Sequence, residues 1–297
     1  MVDMPHADEV ESFIAEVTSD SCVERCAAAT SFDAEYVAQT LATYSGELRV
    51  SMGLLTGVEL RDRRILEVGA GLGLATFLLH RLGYDCTALE PAATGFGFMH
   101  ALSAAIRDHL GLDNVRLLPL GAEDLDPDHH GVFDVMFSAN VLEHIAKLEA
   151  AIHGMSRTLA TDGIMIHTCP NYTVPFEPHY GVALFPSRPA MTPWTRRFHT
   201  EELWQSFNFI TARQVERLSK QAQLQVRFEP GMMARAFERL LSDPVFAERQ
   251  GATMVWLARA LKWSGGLFVL RNWPASLATP MQFRATRPTS ARSTRMR

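Results

Sequence analysis

The sequence predicts an α/β protein built on a doubly wound, mostly parallel sheet of seven strands, with a helical cap before the sheet and a helical insertion ahead of its last strand. Three observations carry that expectation. Strand and helix signals alternate from Arg63 onward, the pattern of a parallel sheet covered on both faces. The apolar run Ile65–Val68 leads into glycines at 69, 71 and 73 and then into a helical pattern, which is how a doubly wound nucleotide-binding sheet begins. The 297 residues, 47% hydrophobic and 21% charged, suffice to bury a sizeable core without disulfides or metals as scaffolding.

Residues 1–60 read as the helical cap. Val10, Phe13, Ile14 and Val17 fall on one helix face, and Tyr36, Val37, Leu41 and Tyr44 repeat the spacing. The stretch Ser31-Phe32-Asp33-Ala34-Glu35 offers a helix cap, with acids near the positive end of the helix. The expected role of this cap is packing, with a lid over the site as the functional alternative. Residues 61–171 then form the core: strands at Ile65–Val68, Asp85–Glu90, Val115–Pro119, Phe133–Ser138 and Gly163–Thr168, with helices at Leu74–Arg81, Phe98–Leu110 and about Ile145–Leu159. Asp162-Gly163 is expected to turn the chain into the fifth strand, and Pro170-Asn171 to end it.

Residues 172–200 mix prolines (175, 178, 186, 189 and 193) with Tyr172, Phe176, Tyr180, Phe185 and Trp194. A long ordered loop at the carboxyl edge of a sheet is where specificity is usually built. Residues 201–286 return to the core, with a helix over Glu201–Gln221, a strand at Gln225–Phe228, helix from Met232 to Leu261 and a last alternating strand at Met281–Ala285. Residues 287–297 are basic and rich in Ser and Thr and are expected to fray. The apolar stretch from Val255 to Trp273 carries Arg259, Lys262 and Arg271, too much charge to span a bilayer; internal packing is expected of it, with contact at a membrane surface as the alternative.

A formal net charge of −5 argues against a nucleic-acid partner, which would call for a basic face. Cys22, Cys26, Cys86 and Cys169 are too few and too scattered for a disulfide framework and fit a reducing cytoplasm. Cys22 and Cys26 share a helix face with no third ligand nearby, so core packing is expected of them rather than metal binding. The acidic, mixed N-terminus lacks the basic start and apolar run of a signal peptide. Oligomeric state is not legible.

The chemistry centres on Glu67-Val68-Gly69-Ala70-Gly71-Leu72-Gly73. Glycine permits positive φ and lets a ligand lie against the main chain. The dinucleotide fingerprint needs a further glycine at the sixth place from Gly69, where this chain has Leu74, so a nicotinamide cofactor is disfavoured. Glu90 closes the second strand after Ala88 and Leu89, Phe133-Asp134-Val135 opens the fourth, and Val141-Leu142-Glu143-His144 follows it. In that order and spacing these residues resemble class I S-adenosylmethionine-dependent methyltransferases, over roughly Arg63–Asn171. The resemblance implies a Rossmann-like fold, S-adenosyl-L-methionine as cofactor, and a cofactor cradle of Gly69, Ala70, Gly71 and Gly73. It further implies Glu67 at the methionine ammonium and Glu90 on the ribose hydroxyls. Ala122 and Glu123 would lie at the adenine edge, where Gly121 occupies the family's usual acidic place, and Asn140 would touch the cofactor after the fourth strand.

Methyl transfer from a sulfonium mainly demands alignment, and a hydroxyl acceptor also needs its proton removed, for which histidine is the usual base near neutral pH. His144 and His179 are both placed for that role; holding a loop by a hydrogen bond is the alternative for each. His167, within a strand, is expected to be structural. The Glu143-His144 pair is also similar to a segment of ubiquinone-type O-methyltransferases, some of which bind a divalent metal through this pair and a preceding Glu. Asn140 stands in that preceding place, so no metal is expected. The expected activity is methyl transfer to an oxygen of a small-molecule acceptor. The rival is a non-catalytic S-adenosylmethionine-binding regulator or partner subunit, which would keep the glycine loop and need no base.

Overall fold

The computed structural model describes residues 7–91, 97–184 and 193–288. The cap comprises α1 (Ala7–Val17), α2 (Asp20–Thr30) and α3 (Ala34–Leu54). Asp33 caps α3, its Oδ1 accepting from the main-chain N–H of Glu35 and Tyr36. The core follows as β1 (Arg64–Val68), α4 (Leu74–Arg81), β2 (Asp85–Leu89), α5 (Gly97–Leu110), β3 (Arg116–Leu118), α6 (Pro127–His130), β4 (Phe133–Ala139), α7 (Leu148–Thr158) and β5 (Leu159–Cys169). The segment after β5 carries a hairpin, β6 (Phe176–Glu177) with β7 (Val182–Ala183). The C-terminal part holds α8 (Glu202–Ser206), α9 (Ala212–Gln221), β8 (Gln225–Phe228), α10 (Met232–Ser242), α11 (Pro244–Gln250), α12 (Ala252–Ser264), α13 (Gly266–Arg271) and β9 (Met281–Thr286).

The seven-stranded sheet runs β3-β2-β1-β4-β5-β9-β8. Strands β1 to β5 pair in parallel and β9 runs antiparallel to both neighbours, so the sheet is mostly parallel, as expected. Strand order reverses between β1 and β4, and a crevice opens beyond their carboxyl ends at such a point. Alternation along β1 divides the core. Ile65 packs with the cap and α4–α5, whereas Leu66 and Val68 pack with α7 and α9 on the other face. Each such buried aliphatic side chain contributes about 1.5–3 kcal/mol over leaving it in water. Cys22 and Cys26 lie in the cap-side core, and His167 is buried, its Nδ1 2.7 Å from Ser138 Oγ.

Several boundaries differ from the expectation, each for a physical reason. Strand β5 already begins at Leu159 and passes through Asp162-Gly163, because the pairing shifts register between Phe133 and Val135 instead of breaking. A side chain at Gly163 would collide with Leu159 and the Asp134 carbonyl. The helix expected over 201–221 is interrupted at 207–210, where the Asn208 side chain bonds the carbonyls of Leu142 and Ile145 instead of facing solvent on a helix. The expected 232–261 helix is broken by Asp243-Pro244, a capping residue followed by a proline at the first turn, and by Gly251 at φ 83°. The internal packing expected of 255–273 does not hold: Trp256, Trp263, Phe268 and Val269 are exposed. Pro186 and Pro189 of the acceptor-side loop, and the tail from 289 onward, lie outside the described residues.

Candidate active site

On the side of β1 and β2, three glycines turn the chain with positive φ: Gly69 (67°), Gly71 (55°) and Gly73 (77°). The amides of Gly69 and Ala70 both donate to the Leu89 carbonyl, which ties the loop to β2. The loop is tightly flanked. A Cβ on Gly69 would run into the Val141 side chain, and one on Gly71 would come 2.6 Å from the Tyr44 ring of α3. Glycine is therefore dictated at 69 and 71 by conformation and by neighbours alike.

Glu90 Oε2 accepts the Gly71 amide at 2.7 Å, and burial pushes its carboxyl up from the ordinary range. Gly71, Ala70, Glu90, His100, Ser103 and Leu118 line one pocket. His100 Nε2 is buried there without a hydrogen-bond partner among the described residues, so it holds a polar atom in reserve for a ligand. Glu67, the residue expected at the methionine ammonium, lies buried beneath the glycine loop. Its Oε2 accepts both the amide (2.9 Å) and the hydroxyl (2.6 Å) of Thr76, so it braces the start of α4 from beneath the loop. Burial pushes it up to about 7.

Beyond β3, Ala122–Asp124 form a short 3-10 turn with Ala122 buried. The Glu123 carboxylate folds back into the space that a side chain on Gly121 would fill. The acid missing at 121 is thus replaced in space from two residues further on. After β4, Asn140 takes φ 54° and donates from Nδ2 to Glu47 Oε2 of α3 at 2.7 Å. Helix α3 therefore meets the site twice, through Tyr44 and through Glu47, and the cap is part of the site wall.

The other half of the site is a cluster of side chains. Val141, lying over Gly69, leads into a 3-10 turn, Leu142–His144, and the loop brings His179 up beside it. The His144 and His179 rings stand 5.6 Å apart, centroid to centroid, edge to face. Each Nε2 lies 3.9 Å from Glu143 Oε1, and each Nδ1 is held by a different partner. His144 Nδ1 is 2.7 Å from Ser206 Oγ, whose hydroxyl donates to the Leu203 carbonyl. The imidazole must then be the donor in that pair, which leaves Nε2 with a bare lone pair. Burial, with His179 adding to it, pulls His144 down to about 4.

His179 Nδ1 is 2.6 Å from Glu177 Oε1. Glu177, fully buried, also accepts the Tyr180 amide at 2.7 Å and the Tyr172 hydroxyl at 3.2 Å, so its carboxylate is held from three sides. Glu143 is completely buried, neither of its oxygens has a hydrogen-bond partner among the described residues, and burial pushes it up to about 8. One donor atom from each of Glu143, His144 and His179 falls within 4.8 Å of the others, a set that could hold a cation. The third group of that set comes not from position 140 but from the loop, 35 residues along the chain from His144.

The structure thus brings His144 and His179 together and sets Gly69, Ala70, Gly71, Gly73 and Glu90 around the crevice. Sequence reasoning missed Tyr44, Glu47, His100, Glu177 and Ser206. Only Glu177 left a signal, as a carboxylate two residues before a candidate histidine; the others act across separations that no local pattern records.

The strand order, the glycine turn at the end of β1 and the acid at the end of β2 are those of a class I S-adenosylmethionine-dependent methyltransferase. A family model described as a methyltransferase domain matches residues 31–228, two thirds of the chain, and the chain belongs to that family. S-adenosylmethionine is the family's cofactor, and the residues fit it: a glycine cradle, Glu90 and an unpartnered His100 nitrogen converge on one pocket. The chain is 34% identical over 206 residues to an uncharacterised protein of Mycobacterium tuberculosis, covering 66% of this chain and 69% of that one. It is 28% identical over 107 residues to a ubiquinone biosynthesis O-methyltransferase of Rhodopseudomonas palustris, 36% of this chain and 40% of the relative. Among solved structures, a Haemonchus contortus phosphoethanolamine N-methyltransferase in complex with S-adenosyl-L-methionine shares the fold at a TM-score of 0.51 and 16% identity. That match covers 82% of this chain, which spans about half (52%) of the larger enzyme.

Proposed function

We propose that this methyltransferase acts on a hydroxyl of a small molecule, with His179 as the base that takes the acceptor's proton. S-adenosylmethionine supplies a methyl group already activated on a sulfonium. The chain's own task is to hold donor and acceptor in line and to receive the proton. Gly69–Gly73, Glu90 and the Ala122–Asp124 turn would hold the donor, with Asn140 at its reacting end.

The observation that carries the reading is the Glu177–His179 pair. The buried carboxylate at 2.6 Å fixes the Nδ1–H tautomer and the ring's orientation, leaving Nε2 free to receive the proton. His144, held by a neutral serine and pulled down to about 4, is the weaker base, and its supported role is to position the acceptor. The R. palustris likeness supports oxygen as the acceptor atom. Four free, buried cysteines support a cytoplasmic setting. A non-catalytic binding subunit would have no use for two imidazoles each fixed at Nδ1. A panel of phenolic, aliphatic hydroxyl and amine acceptors tests the proposal. Transfer to hydroxyls that His179→Ala abolishes is expected; transfer to amines alone, or cofactor binding with no turnover on any acceptor, would overturn it.

A second reading is favoured by the unpartnered Glu143 carboxylate: a divalent cation held by Glu143, His144 and His179, which would orient the acceptor oxygen and lower its proton affinity. Titration of the chelator-treated protein with Zn2+ and Mn2+ checks this. Tight binding that Glu143→Gln removes is expected on this reading, and indifference to that substitution would end it.

A further inference from the structure

We propose that the α12–α13 hairpin is a docking surface for an anionic lipid bilayer. Trp263 is 92% exposed, Phe268 71% and Trp256 68%. Val269, Trp273 and Leu277 are exposed beside them. Trp256 and Trp263 stand two turns apart and so share one face of α12, opposite Ala258, which is fully buried. This is the reverse of a core-packing helix: small Ala258 faces the protein and the large aromatics face out. Scattered exposed apolar residues need no explanation, but a run of indole and phenyl groups along one hairpin marks an interaction site.

Charge identifies the occupant. Residues 249–297 contain nine of the chain's 28 Lys and Arg and none of its 33 Asp and Glu, whereas residues 1–248 hold 19 cations against all 33 acids. Arg259 and Lys262 lie on α12 between and beside the two tryptophans, exposed, and neither is in an ion pair among the described residues; Arg271 pairs with Glu238. Indoles that settle at headgroup depth, flanked by cations on an otherwise acidic protein, match an anionic bilayer surface. A second copy docking face to face through this hairpin would set Arg259 and Lys262 against their own counterparts. Nor does the hairpin cross the bilayer. No helix among the described residues is long and apolar enough to span it. Helix α12, at 13 residues, reaches only about 20 Å of a hydrocarbon core roughly 30 Å thick.

The test is co-sedimentation of the full-length protein with vesicles of phosphatidylcholine alone and of phosphatidylcholine with phosphatidylglycerol. Thermal melting and S-adenosylmethionine affinity serve as controls that each variant is folded. Binding to the anionic vesicles, weakened by added salt, is expected. A Trp263→Ala/Phe268→Ala double variant and an Arg259→Glu/Lys262→Glu double variant should each lose about tenfold or more in vesicle affinity while binding cofactor normally. Failure of the folded protein to bind anionic vesicles, or equal binding to neutral and anionic ones, overturns the proposal. So does concentration-dependent dimerisation that the Trp263→Ala/Phe268→Ala variant abolishes, since the face would then belong to a second copy.

Discussion

The glycine-loop half of the crevice and the half proposed to take the acceptor are built by opposite means. The donor half is main chain: a loop of five residues bent by three positive-φ glycines, tied to β2 by two amide hydrogen bonds and finished by one carboxylate. The acceptor half is side chain: Glu143, His144, Glu177, His179 and Ser206, from three separate segments, meeting beside a fully buried acid. A backbone cradle suits a ligand shared by a whole family, because its geometry survives changes in the surrounding side chains. A convergent cluster can be rebuilt by altering any one contributing loop, which suits the half that must differ between enzymes.

Breaking each half separately should give different kinetic signatures. The largest effect is expected from His179→Ala, with kcat on a hydroxyl acceptor falling roughly 10^2–10^4-fold while calorimetry shows an unchanged cofactor Kd. Gly71→Val should do the reverse, weakening cofactor binding by at least about 100-fold, roughly 3 kcal/mol, because valine resists the left-handed φ and meets the Tyr44 ring. Unaltered affinity there would show that the loop is not the donor cradle.

Glu177→Gln keeps the shape of the dyad and removes its charge. Turnover should drop about 10–100-fold, because the imidazole loses the carboxylate that fixes its tautomer and orientation. A rise in KM with kcat unchanged would instead mark Glu177 as a loop tie. The smallest effect is on stability. Glu67 titrates near 7 when folded and near 4.5 when unfolded, so the folded state binds the extra proton between those values. Its contribution is intact below about 4.5 and is lost as pH rises through about 7. Glu67→Gln should therefore melt a few degrees above the natural protein at pH 8, about 2 kcal/mol, and the gap should close near pH 5. A gap constant across that range would show that Glu67 does not carry the titration.

How far each half could be read from sequence follows the same division. Ile65–Val68, the three glycines and Glu90 are contiguous or one strand apart, so periodicity and glycine spacing were enough to find the fold, the sheet and the donor side. The acceptor side was legible only as two isolated histidines. Nothing local announces that Ser206 orients one of them, or that Asn208 leaves a helical pattern to bond the carbonyls of Leu142 and Ile145 and so anchors the His144 turn. Residues 255–273 failed for another reason. An apolar stretch with three interspersed cations does not say whether its large side chains turn inward or outward, and here Ala258 took the inside.

Helix α3 ends up as common property. It touches the cradle through Tyr44 and the β4 exit through Glu47, and the family match, residues 31–228, begins just ahead of it, leaving α1, α2, α10–α13 and β9 outside. The segment the family model matches is therefore six of the seven sheet strands together with one helix of the cap. A shortened protein beginning at residue 31 retains both contacts, whereas one beginning at residue 60 keeps every strand of the sheet and loses a wall of the room in which the chemistry takes place.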